Sequence, residues 1–374
     1  MTTNPTPPPQ QPPVPAELSV ETATLKLNER KVLYGLVAYP SRRDTDICAE
    51  LEMKKSTFST IKNRIEDMYT KVMMPGFPQI NAELFIIMVA RMTLSDGLDT
   101  NERLETLQQV LELFREDIYA VGEAENLVIF SISKNFTNYD RNLQLLRQTG
   151  FREKIFLRTG LNYHILPFET TRFIRFFSYA PLVNRLFELG FDDEAADHDS
   201  MDFEDTVQEY AFSSTEKKVF QGLLRLPDES NRKLAEEIGV SKNTLAAMKK
   251  KFLQEGLLLP RVVPDLLKIG IRLLVFFFGQ FEPDSTVTER QAGVNKCDEA
   301  LKPILFALKD LDFYILYAVT SFEEYHALST QVMIHFAGKR LVAPNYQTVI
   351  FSLPHARMLK QHEYIPLVDK LVVK

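Results

Sequence analysis

The stretch RKLAEEIGVSKNTLAAMKKKFLQEGLLL, residues 232–259, decides how this 374-residue chain is read. Leu234, Ala235 and Ile238 share one helical face, and Gly239 is the residue type that tolerates a left-handed helix end. Val240 plugs the turn, and Ser241 brings the side-chain oxygen that caps a following helix. Two short helices meeting at a small residue, here Ala235, make a helix-turn-helix. At about 100° per residue, Leu245, Met248 and Phe252 of the second helix point inward. Asn243, Ala246, Ala247 and Lys250 then point outward, with Lys242 and Lys249 on one flank. Small outward residues let such a helix approach base edges in a major groove, and flanking cations reach phosphates.

The same pattern occurs earlier. An ungapped offset of 187 residues lays NERKVLYGLVAYP (28–40) over TEKKVFQGLLRLP (215–227). Glu29, Lys31, Val32, Gly35, Leu36 and Pro40 meet Glu216, Lys218, Val219, Gly222, Leu223 and Pro227. In this copy Cys48 takes the small-residue place, and Phe58, Ile61 and Ile65 form the inward face. Ser56, Ser59, Thr60 and Asn63 face out, flanked by Lys55, Lys62 and Arg64. Glu52 stands at the turn glycine and Lys54 at the capping serine. Beyond this segment the repeat persists in pattern only.

Each half continues with a βαββαβ alternation. Strands are expected at Leu84–Met92, Ile118–Gly122, Leu127–Ser133 and Gly160–Leu166, with helices at Asn101–Arg115 and Tyr139–Gly150. The second half gives strands at Ile271–Gln280, Ile304–Leu308, Phe313–Thr320 and Gln347–Leu353, with helices at Val294–Lys302 and Glu323–Ala337. The expected class is α+β, a tandem duplication of a winged helix-turn-helix domain followed by a ferredoxin-like βαββαβ domain. Residues 1–20 form a Pro-rich tail, with seven prolines in the first sixteen positions, and 191–211 an acidic linker. The winged helix-turn-helix domains span 21–78 and 212–265, the ferredoxin-like domains 79–190 and 266–374.

Composition narrows the function classes. Forty-four Lys and Arg stand against 50 Asp and Glu, a net charge of −6, so a uniformly basic nucleic-acid coat is excluded. Both helix-turn-helix segments are nonetheless locally positive: residues 26–75 carry ten basic and seven acidic groups, residues 213–262 ten and six. Two cysteines, Cys48 and Cys297, supply no disulfide framework or zinc spacing. The six histidines form no i, i+3 or i, i+4 pair, and no GxGxxG, Walker or GxSxG motif is present, so neither metal, cofactor nor catalytic residue is expected. The apolar run 271–278 is far too short to span a bilayer. A cytoplasmic, nucleoid-associated protein is expected.

Residues 232–259, with Pro264 and Gly270 ahead of the first strand, resemble the leucine-responsive (Lrp/AsnC) family of prokaryotic transcriptional regulators, once per half. The resemblance implies a non-enzymatic regulator binding double-stranded DNA through Lys242, Asn243, Ala246, Ala247, Lys249 and Lys250, and through Lys55, Ser56, Ser59, Thr60, Lys62 and Asn63. It also implies self-association through the ferredoxin-like domains. The glycine-rich, aspartate-containing turns that accompany effector binding in that family are missing, Gly122-Glu123 being the nearest approach, so no small-molecule effector is expected. Two alternatives share the pattern. One is an interaction protein or replication initiator with winged helices, and the other is a haem-pathway enzyme, since some decarboxylases of that pathway look like this family.

Overall fold

The computed structural model describes residues 24–92, 100–192 and 210–372; the Pro-rich tail and nearly all of the acidic linker lie outside them. The first half runs α1 (Leu27–Ala38), α2 (Asp44–Glu50), α3 (Lys55–Arg64) and β1 (Tyr69–Pro75). It continues β2 (Leu84–Met92), α4 (Thr100–Glu112), β3 (Asp117–Glu123), β4 (Asn126–Ser133) and α5 (Phe136–Arg152). It ends with β5 (Phe156–Pro167), β6 (Arg172–Phe176) and α6 (Ala180–Phe187). The second half repeats the order: α7 (Ser214–Arg225), α8 (Asn231–Ile238), α9 (Lys242–Gln254) and β7 (Leu258–Pro264). Then come β8 (Leu273–Gln280), α10 (Val287–Leu301), β9 (Leu305–Lys309), β10 (Asp312–Val319), α11 (Phe322–Lys339), β11 (Gln347–Ser352), β12 (Arg357–Gln361) and α12 (Ile365–Leu371). The α+β class and the repeated order are as the sequence indicates.

Local chemistry explains the helix ends. Ser213 and Glu216 form a reciprocal capping box at α7, Ser230 caps α8, and Ser241 accepts from the Thr244 amide at 3.0 Å to start α9. Gly239 turns left-handed with φ 72°. In the first half Glu52 adopts the same conformation, φ 50°, so the turn geometry survives without its glycine, at a cost of about 1 kcal/mol for a residue with a Cβ. The paired glycines of the repeat have a packing reason. A Cβ on Gly35 would lie 2.7 Å from Ile47, and one on Gly222 would lie 2.9 Å from Ile238, so each first helix touches the second at backbone distance.

The two halves interlock. β1 pairs with β7 antiparallel, from Tyr69↔Pro264 to Pro75↔Leu258, so one strand from each half makes a shared two-stranded sheet. Each larger sheet takes its last strand from the other half: the orders are β12-β3-β4-β2-β5 and β11-β8-β10-β9-β6. The sheets face each other across one core. In β2, Phe85, Ile87 and Val89 enter it while Leu84, Ile86, Met88 and Ala90 pack outward with residues of α4 and α5. In β8, Leu274, Phe276 and Phe278 point in while Val275 and Phe277 point out. Phe130 meets Phe276 edge-on at 5.9 Å between sheets. Each such ring contributes roughly 2–3 kcal/mol by burial.

Polar anchors fix the exchanged strands. Arg175 of β6 grips Asp298 of α10 through two 3.0 Å bonds. Lys360 of β12, 3% exposed, donates to the Phe114 and Asp117 carbonyls at 2.8 and 3.2 Å, and Lys370 pairs with buried Glu116 at 2.7 Å. Both exchanged strands end in the same way. Phe177 and His362 take left-handed φ of 50° and 54°, and Tyr179 and Tyr364 precede α6 and α12. The segments YAPLVNRL (179–186) and YIPLVDKL (364–371) share five of eight residues at an offset of 185. His362 bonds both tyrosine hydroxyls at 2.9 Å, Tyr179 through Nε2 and Tyr364 through Nδ1. A neutral ring has one donor and one acceptor nitrogen, so one tyrosine donates and the other accepts.

Two predictions follow from this geometry. Burial, then Arg261, drives the His362 pKa down to about 3. Between that value and about 6.5 the unfolded chain binds the proton that the folded chain refuses, so stability falls as pH drops, by about 1.4 kcal/mol per pH unit. Replacing His362 with Gln removes this slope: from pH 7 to 4.5 the wild type should lose about 2–3 kcal/mol more than H362Q in urea unfolding. Equal losses would contradict the buried neutral ring. Glu52→Gly should raise the urea midpoint by the equivalent of ~0.5–1 kcal/mol, and a lowered midpoint would count against the strained turn.

Candidate functional site

The helices expected to read DNA are present, and some of the cations on them are engaged in ion pairs. On α9, Lys242, Asn243, Ala246, Ala247 and Lys250 are exposed, whereas Lys249 is half-buried and burial lowers its pKa. On α3, Lys55, Ser56, Thr60 and Asn63 are exposed and Ser59 and Lys62 are half-buried. Lys62 bonds Asp44 at 2.8 Å, and the Thr60 hydroxyl turns back to the Ser56 carbonyl at 3.0 Å. Nearby, Arg64 pairs with Glu29 at 2.7 Å and Lys251 with Glu216 at 2.9 Å. Three of the cations on these helices are thus paired with carboxylates of the same segments.

A different cluster carries more chemistry. A cleft of about 350 Å³ opens where β5 of the first half meets β8 and β11 of the second, lined by Leu161, Asn162, Tyr163, His164, Phe278 and Gln347. His164 is placed by its register opposite Ile87 on β2, which alternation turns toward the facing sheet. Its ring packs against Phe278 and Tyr314 at 4.9 and 5.0 Å. Nδ1 lies 3.3 Å from the Tyr314 hydroxyl, which lies 3.4 Å from an Asp312 carboxylate oxygen. Gln280 bonds the other Asp312 oxygen at 2.6 Å. His164 Nε2 is buried and, among the described residues, has no hydrogen-bond partner.

The electrostatics favour a neutral imidazole. Burial is the largest influence and lowers the His164 pKa; Asp312 opposes it and Lys309 reinforces it. Burial and Asp312 together hold the Tyr314 phenol in its protonated form. A proton on Nδ1 directed at Tyr314, with the phenol donating to Asp312, leaves Nε2 as a lone-pair acceptor. Such a nitrogen can take a proton or bind a metal. Two cations contact β5 beside the cleft. Lys309 donates to the Ile165 carbonyl at 3.0 Å, and the Arg147 guanidinium sits 5.7 Å above the Tyr163 ring.

The opposite end of the sandwich lacks this constellation. β4 starts at Asn126 and β10 at Asp312, so Val128 is the counterpart of Tyr314 and Asn126 that of Asp312. Val349, paired with Phe276 as His164 is with Ile87 and packed against the shared core, is the counterpart of His164. The histidine was dismissed in the sequence because it has no paired ligand at helical spacing. Its partners come from strands about 150 residues away, and no local motif signals them.

No family profile and no curated protein sequence matches the chain. Among solved structures, the siroheme decarboxylase NirDL, crystallised with an iron-uroporphyrin III analogue, aligns with 92% of this chain and 99% of its own at 11% identity and a TM-score of 0.51. AsnC of E. coli aligns over 38% of this chain and 93% of its own, at 15% identity and a TM-score of 0.30. A protein assigned to the chlorite dismutases covers 76% of this chain and 98% of its own, at 8% identity and a TM-score of 0.34.

These findings correct the sequence reading. The full-length likeness, spanning both halves, is to the fold of a decarboxylase, while the Lrp/AsnC regulators match only about one half. The expectations of a DNA-binding regulator and of a chain with no enzymatic role are both overturned. The physical reason lies in the interlocked halves: a helix-turn-helix segment does not by itself specify DNA contact. The expectation that no small molecule is bound loses its support as well. Among the described residues, no helix is long and apolar enough to cross a membrane.

The relay has a direct consequence for titration. In an NMR titration of the ring, His164 should show a midpoint below the ordinary histidine value, and Asp312→Asn should lower it further by removing the one influence that raises it. A midpoint that rises in D312N would contradict the arrangement.

Proposed function

We propose that the chain is a haem-pathway-type enzyme that works on a flat, conjugated macrocycle in the cleft between its halves, with His164 at the reacting centre. The observation that carries this reading is the buried, unpartnered Nε2 of a neutral histidine, backed by Tyr314 and Asp312, in a cleft built from both halves. The decarboxylase scaffold supports it as an analogy of fold. Segments 21–78 and 212–265 act here as winged helix-turn-helix struts, and 79–190 and 266–374 as the ferredoxin-like domains that hold the site.

The residues fit an iron-bearing ring in two respects. A neutral imidazole nitrogen is a suitable axial donor to iron. Phe278 and Tyr163 offer aromatic surface to a flat ligand. The cleft volume is within the range of small-molecule sites, roughly 300–1,000 Å³, with the remainder of a macrocycle extending past the rim. Lys309 and Arg147 suit a substrate with few carboxylates better than one carrying them all round, because each buried carboxylate needs a cation. The iron, when bound, would supply an electrophilic centre. The chain's own part is to hold the ring and to keep Nε2 unprotonated, so that its lone pair is available to the iron.

The test is an absorbance titration of the purified chain with iron protoporphyrin and with iron uroporphyrin. Saturation at one ring per chain is expected, tighter for the ring with fewer carboxylates. His164→Ala should weaken binding at least tenfold and abolish the shift of the main absorption band, and Val349→Ala, at the equivalent place of the other half, should leave that shift intact. Absence of saturable binding by the wild type, or an unaltered shift in H164A, would overturn the reading.

A further inference from the structure

A second cavity, of about 440 Å³, lies on the outer face of the second sheet beneath α11, remote in role from the His164 cleft. Its walls include Phe277, Tyr317, Tyr325, Ser329, Tyr346 and Thr348, and its lining holds no Asp, Glu, Lys or Arg. The helix above it is unusual for a surface helix. From Tyr325 to Gly338 the sequence YHALSTQVMIHFAG contains no Asp, Glu, Lys or Arg, and Ile334 is 68% exposed.

The first half shows what this layer looks like when it is closed. α5 and α11 begin at equivalent caps, Asn135 and Ser321, each bonding the backbone amide three residues on. In that register Tyr139 matches Tyr325, Leu143 matches Ser329, and Phe151 matches Ala337. Under α5, Tyr139, Leu143, Leu146 and Phe156 are all buried, and Phe156 presses on the helix at Gly150. In the second half, smaller and more polar residues stand at two of these places, and the space is open.

We infer that this cavity is a binding site for a neutral aromatic small molecule of two or three rings. Four rings, Phe277, Tyr317, Tyr325 and Tyr346, provide edge and face contacts; Phe277 and Tyr346 are already T-shaped at 5.7 Å. Burial raises the pKa of the Tyr317 phenol, with Tyr325 adding to it, so the group stays a neutral donor. Ser329 and Thr348 supply further hydroxyls. A charged ligand would lose its hydration without meeting an Asp, Glu, Lys or Arg in the lining. The site therefore selects by neutrality as well as by shape.

The experiment uses two fluorescent probes sharing one ring system, neutral N-phenyl-1-naphthylamine and its anionic relative 1-anilinonaphthalene-8-sulfonate, on the full chain. Saturable one-to-one binding of the neutral probe is expected, at least tenfold tighter than the anion. The double variant Ser329→Leu, Ala337→Phe, which copies the first half's residues, should lose that binding at least tenfold while keeping the wild-type unfolding midpoint. The single variant Ser329→Leu guards against misfolding of the pair and should show an intermediate loss. Equal affinity for the two probes, no saturable binding, or undiminished binding by both variants would overturn the inference. So would finding that the chain self-associates through this face, with Ile334→Glu dissociating it and the neutral probe excluded.

Discussion

Everything above rests on the exchange of edge strands between the halves. β6 closes the second sheet and β12 closes the first, so neither sheet is complete with residues of one half. An edge strand left unpaired exposes a row of backbone donors and acceptors, and the exchange satisfies them while burying Phe173, Phe176 and Leu359. The anchors differ in chemistry but not in place. Arg175 and Lys360 stand at matching positions of the two strands; one uses a carboxylate and the other two main-chain carbonyls. The tyrosine pair bridged by His362 then ties the two strand ends to each other at the centre of the molecule.

Fusing both copies into one chain removes the requirement that the two ends be identical. A dimer of identical chains would carry His164 and its relay twice, or Val349 twice. Here Val349 and Val128 stand at one end, and the other holds the polar cluster around His164. The outer layers have diverged in the same way, filled under α5 and open under α11. Stability and chemistry are thereby assigned to different copies of the same elements, and a substitution that opens a cleft at one end is offset by packing at the other.

Much of this was legible in the sequence, for definite physical reasons. The 3.6-residue periodicity, the Gly239 turn and the Ser241 cap locate the α8–α9 pair, and β2 falls on Leu84–Met92 as expected. What was missed shares one cause. The YAPLVNRL and YIPLVDKL segments match better than most of the repeat, but at an offset of 185, because the second copy is two residues shorter by that point. An ungapped comparison at 187 hides them, and with them the exchanged strands. The functional reading failed for a related reason. A helix-turn-helix pattern does not fix function by itself, and the interlocking of the halves around a cleft is invisible in it. His164 is silent in the sequence because strand register, not spacing, brings Tyr314 and Asp312 to it.

The two halves form one interlocked body with the cleft at their junction. Native-state hydrogen exchange on the full chain measures this most directly. The account predicts that amides of β6 and β12 exchange only through global unfolding, with the same free energy as those of the central strands β4 and β10. Exchange of β6 or β12 through a separate, lower-energy opening, with β4 and β10 still protected, would contradict it.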